Sequence, residues 1–412
     1  MECTAMPACY QAGIMTPTGD CTGTCILAMF CKGRLYMEPR SLQEIDSNFA
    51  NSAAIPKDSI FYDVLTSPFH IDGFYDPYSI KKFCRLPPEF LPACNQGVQE
   101  LAWHTAGGRV RFATDSPWIA VAVQLRRVVH MSHMPCTGHS GIDLYGGPAG
   151  TNVGEQEFCH TFFPPDPLLP NGAQYNGIYH FLENRSIMRE ITLHLPLYNG
   201  LEKLYVGVQA GAVIQAPIRY RLEKPVLFYG SSITQGGCAS RPGNSYINYL
   251  SRWLNFNYIC LGFSGSAKGE QNMAQYIASL DLSAVIMDYD HNAYDTNGPD
   301  GTNLAATHYP FYQILRQKHP DMPILMISKP DYDSNPVSGR VRRDIILKSY
   351  LRGRENGDNQ LWFIDGQSLF QARDRGSCTV DGTHPNDLGF YRMAETIYPY
   401  LKEALRSTID HG

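Results

Sequence analysis

"VLFYGSSITQGG", residues 226–237, runs from four apolar or aromatic residues into a glycine, two adjacent serines and more glycine. The apolar run bounded by Gly230 reads as a short buried strand over 226–229, so the meaning of the stretch lies in the residues after it. Three glycine-rich chemistries each fail at specific residues. A Walker loop needs G-x-x-x-x-G-K-[ST], but Gly230 meets its next glycine at Gly236 and no lysine follows. The dinucleotide fingerprint G-x-G-x-x-G needs glycine where Ser232 stands, and the nucleophile elbow G-x-S-x-G ends on Thr234. What is left is a serine just past the carboxyl end of a parallel strand, where open α/β sheets hold their ligands.

Downstream the pattern repeats. Apolar runs fit buried strands at 226–229, 258–262, 284–289, 323–328 and 361–364. Helical spacing fills the intervals near 244–254, 270–280, 305–318 and 337–353, and a last helix near 386–405 sets Leu388, Tyr391, Ala394, Ile397, Leu401 and Leu405 on one face. Five strand-then-helix units predict a parallel sheet covered on both faces. Upstream, from about 100 to 220, short alternating segments predict an antiparallel sandwich. "GRVRFATD" (108–115) and "WIAVAVQLRRV" (118–128) flank Ser116-Pro117, while "REITLHLPLY" (189–198) and "KLYVGVQ" (203–209) flank the tight-turn dipeptide Asn199-Gly200. The proline-rich stretch 158–176 is expected to be a surface loop. The expected division is a poorly ordered extension over 1–57, a β-sandwich over 58–221 and a catalytic α/β domain over 222–412.

Bulk composition bounds the partners. The chain has 412 residues, 43% hydrophobic and 18% charged, with a net charge of -5. That balance gives no electrostatic footprint for nucleic acid or an anionic membrane, and no apolar run approaches the ~20 residues of a membrane span. Cys3, Cys9, Cys21, Cys25 and Cys31 crowd the first residues, five of 12 cysteines, but at irregular spacings without a Cys-x-x-Cys pair. The other seven are scattered, several in apolar runs such as Cys260 in "YICLGF". With no basic segment of the secretory kind ahead of them, they read as reduced buried thiols and a cytoplasmic location is expected.

Three further stretches fall after successive strands: "CLGFSGSAKGE" (260–270), "MDYDHNAYD" (287–295) and, ahead of the last helix, "DGTHPND" (381–387). With "GSSIT" they resemble the four signature blocks of the SGNH (GDSL-type) hydrolases, and "SGIDLYGG" (140–147) resembles the signature of the GxDLY domain that precedes one SGNH subfamily. The resemblance covers roughly 58–405. It implies a three-layer α/β/α flavodoxin-like domain behind the antiparallel β-sandwich. It also implies a serine esterase that needs no cofactor and no metal, with Ser232 as nucleophile and His384 and Asp381 as base and acid. Ser232, Gly265 and Asn292 would form the oxyanion hole. The implied substrate is a small acyl ester, an O-acetyl group on carbohydrate first, so the expected partner is a small-molecule or oligosaccharide ester. The chain departs from the pattern at Ser231, where the first block has aspartate, and at Asp290-His291-Asn292-Ala293, where the third reads Gly-x-Asn-Asp.

A flavodoxin-like strand order, 2-1-3-4-5, would place the loops of Gly265 and Asn292 on either side of Ser232, with neighbouring strands ~4.8 Å apart. Each residue also has a plainer reading. Ser232 could cap a helix, although Ser231 is the better structural candidate of the pair. Gly265 could be a turn, and Asn292 a loop residue bonding its own backbone. His291 is expected to shape the pocket, Arg241 to line the substrate entrance, and Asp365 is a rival acid ranked below Asp381. The run "HMSHMPCTGH" spaces His130, His133, Cys136 and His139 by three, which matches no closed zinc pattern, and the resemblance makes it a loop near the domain interface. Two alternatives stand beside the acetylesterase: a lipid or thioester acyl hydrolase using the same groups, and a non-catalytic carbohydrate-binding protein.

Overall fold

A computed structural model describes residues 55–164, 174–183, 185–293, 303–371 and 373–406, together with Arg40 and Glu44. The five clustered cysteines, most of the 1–57 extension and the centre of the 158–176 stretch lie outside the described residues; both ends of that stretch, expected as loop, are strand.

The first half is a sandwich of two antiparallel sheets. One has the order β1 (Ser59–Asp63), β9 (Leu201–Gln209), β4 (Trp118–Leu125), β7 (Gln174–His180). The other runs β10 (Ile214–Gln215), β3 (Arg109–Thr114), β8 (Arg189–His194), β5 (Ile142–Pro148), β6 (Glu157–Phe162), with β2 (His70–Asp72) also on β3. Alternation builds the core. Ile119, Val121 and Val123 of β4 turn inward against Val110, Phe112, Leu144 and Leu193 of the facing sheet. Ala120 and Ala122 turn outward and are small enough to sit beneath Phe61. Neither expected turn closes a hairpin. The strands flanking Asn199-Gly200 lie in different sheets, as do those flanking Ser116-Pro117, so both connections cross between layers.

The second half is a parallel sheet with the order β12 (Phe256–Gly262), β11 (Leu222–Gly230), β13 (Ala284–Asp288), β14 (Ile324–Ile327), β15 (Leu361–Ile364), which is 2-1-3-4-5 within this half. Both faces of β11 are buried. Val226 and Phe228 pack on one side with Tyr246 and Leu250 of a helix at Tyr246–Leu254 and with Phe390 and Ile397 of one at Asp387–Ala404. Leu227 and Tyr229 pack on the other, with Met273 and Ile277 from Gln271–Ala278, Phe311 and Leu315 from Leu304–Lys318, and Ile346 from Pro336–Glu355. Residues ahead of the sandwich's third strand join this second layer: Cys84, Leu86 and Val98 belong to it, and Phe90 stacks on Tyr276 at 5.0 Å.

Strand β12 is an edge, and an open edge offers unpaired backbone groups. Here buried arginines close it. Arg85 Nη1 donates to the carbonyls of Cys260 (2.9 Å) and Gly262 (2.8 Å), and Arg109 Nη2 to that of Tyr258 (3.1 Å). Residues 258, 260 and 262 alternate along the strand, so all three carbonyls face the same way. Arg109 also lies 3.7 Å above the Tyr258 ring. Both arginines are buried away from solvent, so their charge is held by carbonyls and aromatic faces.

Candidate active site

Strand β11 ends at Gly230, and a one-turn helix, Ser232–Gln235, begins immediately after it. Gly230 does not have a positive φ. It is glycine because a Cβ would run into Thr234 Oγ1 and the Asp288 carbonyl. Ser231 is the N-cap: its side chain accepts from Ile233 N–H at 3.2 Å, while its own N–H donates to Asp288 O at 3.2 Å. Serine caps as well as the aspartate of the family pattern, which accounts for that departure. The cap leaves the neighbouring Ser232 side chain for other work.

Ser232 Oγ lies 2.9 Å from His384 Nε2, and His384 Nδ1 lies 2.7 Å from Asp381 Oδ2. The second oxygen, Asp381 Oδ1, accepts from the backbone N–H groups of His384 (2.7 Å) and Thr383 (3.0 Å), so the two side chains are held by one turn. Burial pushes the Asp381 carboxyl up, but the bonds from His384 and Thr383 outweigh it and hold it down to about 2. Asp365, the rival carboxylate, caps its own turn through Gln367 N–H at 3.0 Å.

Gly265 and Asn292 sit on the loops after β12 and β13, the two neighbours of β11. Gly265 has φ +68°, a conformation that favours glycine. The hydrogen-bond network orients the Asn292 amide so that Nδ2 donates to Phe263 O (3.0 Å) and Oδ1 accepts from Gly265 N–H (3.2 Å). The structure thus brings these two residues together, with Gly265 N–H engaged by the asparagine.

Arg241, expected at the substrate entrance, is engaged by the sandwich. Its Nη1 donates to Asp143 Oδ2 (2.9 Å) and Tyr145 Oη (2.7 Å), and its guanidinium lies 3.8 Å over the Phe158 ring. Asp143, fully buried, also accepts from Gly243 N–H (2.7 Å) and Thr161 Oγ1 (2.7 Å). The GIDLY aspartate and tyrosine therefore grip the loop that follows Ser232, and Arg241 ties that loop to the sandwich. His291 Nε2 is 3.3 Å from Asp331 Oδ1, close but not aligned as a hydrogen bond. Burial, opposed by Asp331, brings its pKa down to about 4, so the ring is neutral.

Several supporting groups had no sequence signal. Gln235 Nε2 donates to Leu197 O (3.1 Å) and its Oε1 accepts from Ser264 N–H (3.0 Å), linking the Ser232–Gln235 helix to the Gly265 loop and the sandwich. Asp288 Oδ2 accepts from Thr234 Oγ1 and Tyr246 Oη, both at 2.9 Å. Asp331 Oδ2 accepts from Thr383 Oγ1 at 3.2 Å and Oδ1 pairs with Lys329 Nζ at 3.1 Å, buttressing the Asp381 turn. His133 comes from the sandwich's 126–141 loop to within 5.7 Å, ring to ring, of His384. The type of each residue is common, and only the fold gives it a place.

The sequence model of the GDSL-like lipase/acylhydrolase family matches residues 223–402, and that of the GxDLY family, the N-terminus of SGNH-hydrolase-type esterases, matches 59–214. No curated protein matches the sequence. Among solved structures, a Bacteroides ovatus protein assigned as a GDSL-like lipase is 27% identical over 84% of this chain and 98% of its own, with a TM-score of 0.73. A salicylyl-acyltransferase from a tetracycline biosynthetic pathway shares the fold at 20% identity and TM-score 0.65, over 86% and 98% of the two chains. A family two carbohydrate esterase from Clostridium thermocellum, solved with cellohexaose, shares it at 14% and 0.53, over 74% and 94%. With both signature regions matched, in order and on the two halves that hold the serine, the histidine and the GIDLY clamp, the chain belongs to the SGNH (GDSL-type) hydrolases, as an acyl-ester hydrolase carrying an N-terminal GxDLY-type domain.

Proposed function

We propose that the chain is a serine esterase that removes small acyl groups, O-acetyl groups first, from carbohydrate. The observation that carries the reading is the unbroken chain from Ser232 Oγ through His384 to Asp381, at 2.9 and 2.7 Å. In this reading Ser232 attacks the ester carbonyl while His384 Nε2 takes its proton. Asp381, held ionised, fixes the ring with Nδ1–H toward itself and stabilises the imidazolium. The proton then goes to the leaving sugar alcohol. Water, deprotonated by the same nitrogen, hydrolyses the acyl-enzyme and returns the serine.

The oxyanion needs donors, and in the resting arrangement Asn292 Oδ1 occupies Gly265 N–H. A half-turn of the amide would set Nδ2 beside that N–H, two donors facing one site. The move gives up the bond to Phe263 O, a cost offset only when negative charge develops on the substrate oxygen. The Ser232 N–H would be the third donor, since the Ser231 side chain accepts from Ile233 instead.

Two observations favour a small acyl group on a sugar. Ser232 is only 7% exposed, which suits an acetyl group better than a long chain. The fold is also that of carbohydrate esterases, one of them solved with cellohexaose. The test is turnover of nitrophenyl acetate, of longer-chain nitrophenyl esters and of acetylated oligosaccharides by the wild type, Ser232→Ala and Ser231→Ala. The expectation is acetate preferred, the first variant inactive and the second active with about 0.5–2 kcal/mol of stability lost. Preference for long chains would give the lipid or thioester reading. An active Ser232→Ala with an inactive Ser231→Ala would overturn the assignment of the nucleophile, and a wild type that no fluorophosphonate labels would revive the binding-protein alternative.

A further inference from the structure

The loop between β4 and β5 folds three of its four evenly spaced residues toward one point. His130, Cys136 and His139 each place one ligand-type atom within 4.8 Å of the other two, and the two imidazoles meet edge-on at 6.0 Å. His139 ends a one-turn helix at Cys136–His139 and is fully buried.

Its ring nitrogens are in unlike surroundings. Nδ1 lies 2.6 Å from Ser140 Oγ. Asn199 Nδ2 is also near, at 3.2 Å, but its two protons go to Ser140 Oγ (2.7 Å) and Val129 O (3.0 Å). The Ser140 hydroxyl can take either role toward Nδ1, and with Nδ1–H as the donor, the tautomer that an ion would select, Nε2 presents a lone pair. That atom is buried and has no hydrogen-bond partner. A buried polar atom left unmatched is costly, and an imidazole that donates one N–H to an oxygen while presenting its other nitrogen bare is the usual form of a metal ligand.

We propose that His130, Cys136 and His139 Nε2 form a site for a zinc-type divalent ion, completed by water. One thiolate and two imidazoles are the donor set of a borderline-soft ion that accepts four ligands. With bonds of about 2.0–2.3 Å a tetrahedral ion holds its ligand atoms roughly 3.5 Å apart, so exposed His130 needs to close only a short distance. Binding exchanges the Cys136 thiol proton for the ion, the proton going to solvent, and no electrons move.

The site would clamp the loop that brings His133 beside His384. The loop already rests on the stretch after the nucleophile: Thr137 Oγ1 donates to Ser240 O at 2.5 Å, and Gly138 lies too close to the Ala239 carbonyl for any Cβ. A second cluster, His133, Cys238 and His384, also brings ligand atoms within 4.8 Å, but an ion there would take the nitrogen that faces Ser232.

The experiment uses the full chain, stripped with a chelator and titrated with Co²⁺ in place of Zn²⁺. One ion per chain should give a thiolate-to-cobalt charge-transfer band that is lost in Cys136→Ser and whose affinity falls at least about tenfold in His130→Ala, a variant at an exposed position. Zn²⁺ should raise the Tm of the wild type and not of Cys136→Ser, and Ser232 should still react with a fluorophosphonate when the ion is bound. No band in the wild type, or a band that survives Cys136→Ser, overturns the proposal. So does a band lost in Cys238→Ser instead, accompanied by loss of fluorophosphonate labelling, which would place the ion on His384.

Discussion

Arg241 Nη1 and Asp143 Oδ2 face each other at 2.9 Å, joining the loop behind Ser232 to a strand of the sandwich 98 residues earlier in the chain. The carboxylate is fully buried and the guanidinium side chain 21% exposed, so the two partners are not equivalent. Arg241→Met strands a buried charge and is expected to cost about 3–5 kcal/mol. Asp143→Asn should cost less, because the amide oxygen can still accept from Arg241 and Gly243 while its nitrogen finds Thr161 Oγ1. Urea unfolding of both variants decides it, and equal losses would show that leaving the buried carboxylate unpaired costs no more than neutralising it.

Asn292→Ala removes a donor to the oxyanion in the proposed mechanism without touching the nucleophile. It should lower kcat by about 10²–10³-fold and leave KM nearly unchanged. A rise in KM at constant kcat would make Asn292 a ground-state contact.

Gln235 tests whether the Gly265 loop must be held. In Gln235→Leu the Leu197 carbonyl and Ser264 N–H both lose their partner, at about 1–3 kcal/mol each if no water replaces it. Ser264 adjoins Gly265, so kcat on nitrophenyl acetate should fall as well. Full activity in a destabilised protein would show the bond to be structural only.

Asp288 gives stability a pH dependence of unusual sign for a carboxylate. Burial first, and then neighbouring Asp290, push it up to about 7 from an ordinary 3.8. Between those values the folded state binds more protons than the unfolded one, so stability falls as pH rises from about 4 to about 7 and then levels off. Asp290 is raised by burial in the same direction. Thermal unfolding between pH 4.5 and 8 should show that decline in the wild type and a shallower one in Asp288→Asn. Parallel profiles would remove Asp288 as the cause.

The parallel sheet is legible in the sequence because each strand, buried on both faces, is a short unbroken apolar run, and the helices between them show one apolar face. The sandwich is legible as a class but not as a topology. "EFCHTF" and "QYNGIYH" form β6 and β7 while half exposed, and carry too little alternation to stand out. Alternation also reports which face a residue takes but never which strand lies beside it, and for that reason Asn199-Gly200 reads as a tight turn. At the site, Ser232 stands out as a serine past a strand end, and it is the resemblance of "GSSIT" and "DGTHPND" to the family's signature blocks that names it together with Asp381 and His384. Arg241 cannot be placed, because its partner's position depends on how two halves of the chain meet. His133 and Gln235 act across the same join.

The arginines on β12 carry a consequence for any attempt to divide the molecule. A catalytic half cut free at residue 222 would expose three carbonyls in a row along its outermost strand, the kind of template on which another copy can extend a sheet. Arg85 and Arg109 both precede that strand in the chain, so during synthesis the plug leaves the ribosome before the edge it covers. The front half therefore covers the edge that another copy could extend, and a fragment beginning at residue 222 would need a substitute for it, such as an inward-facing lysine or a proline on the bare edge.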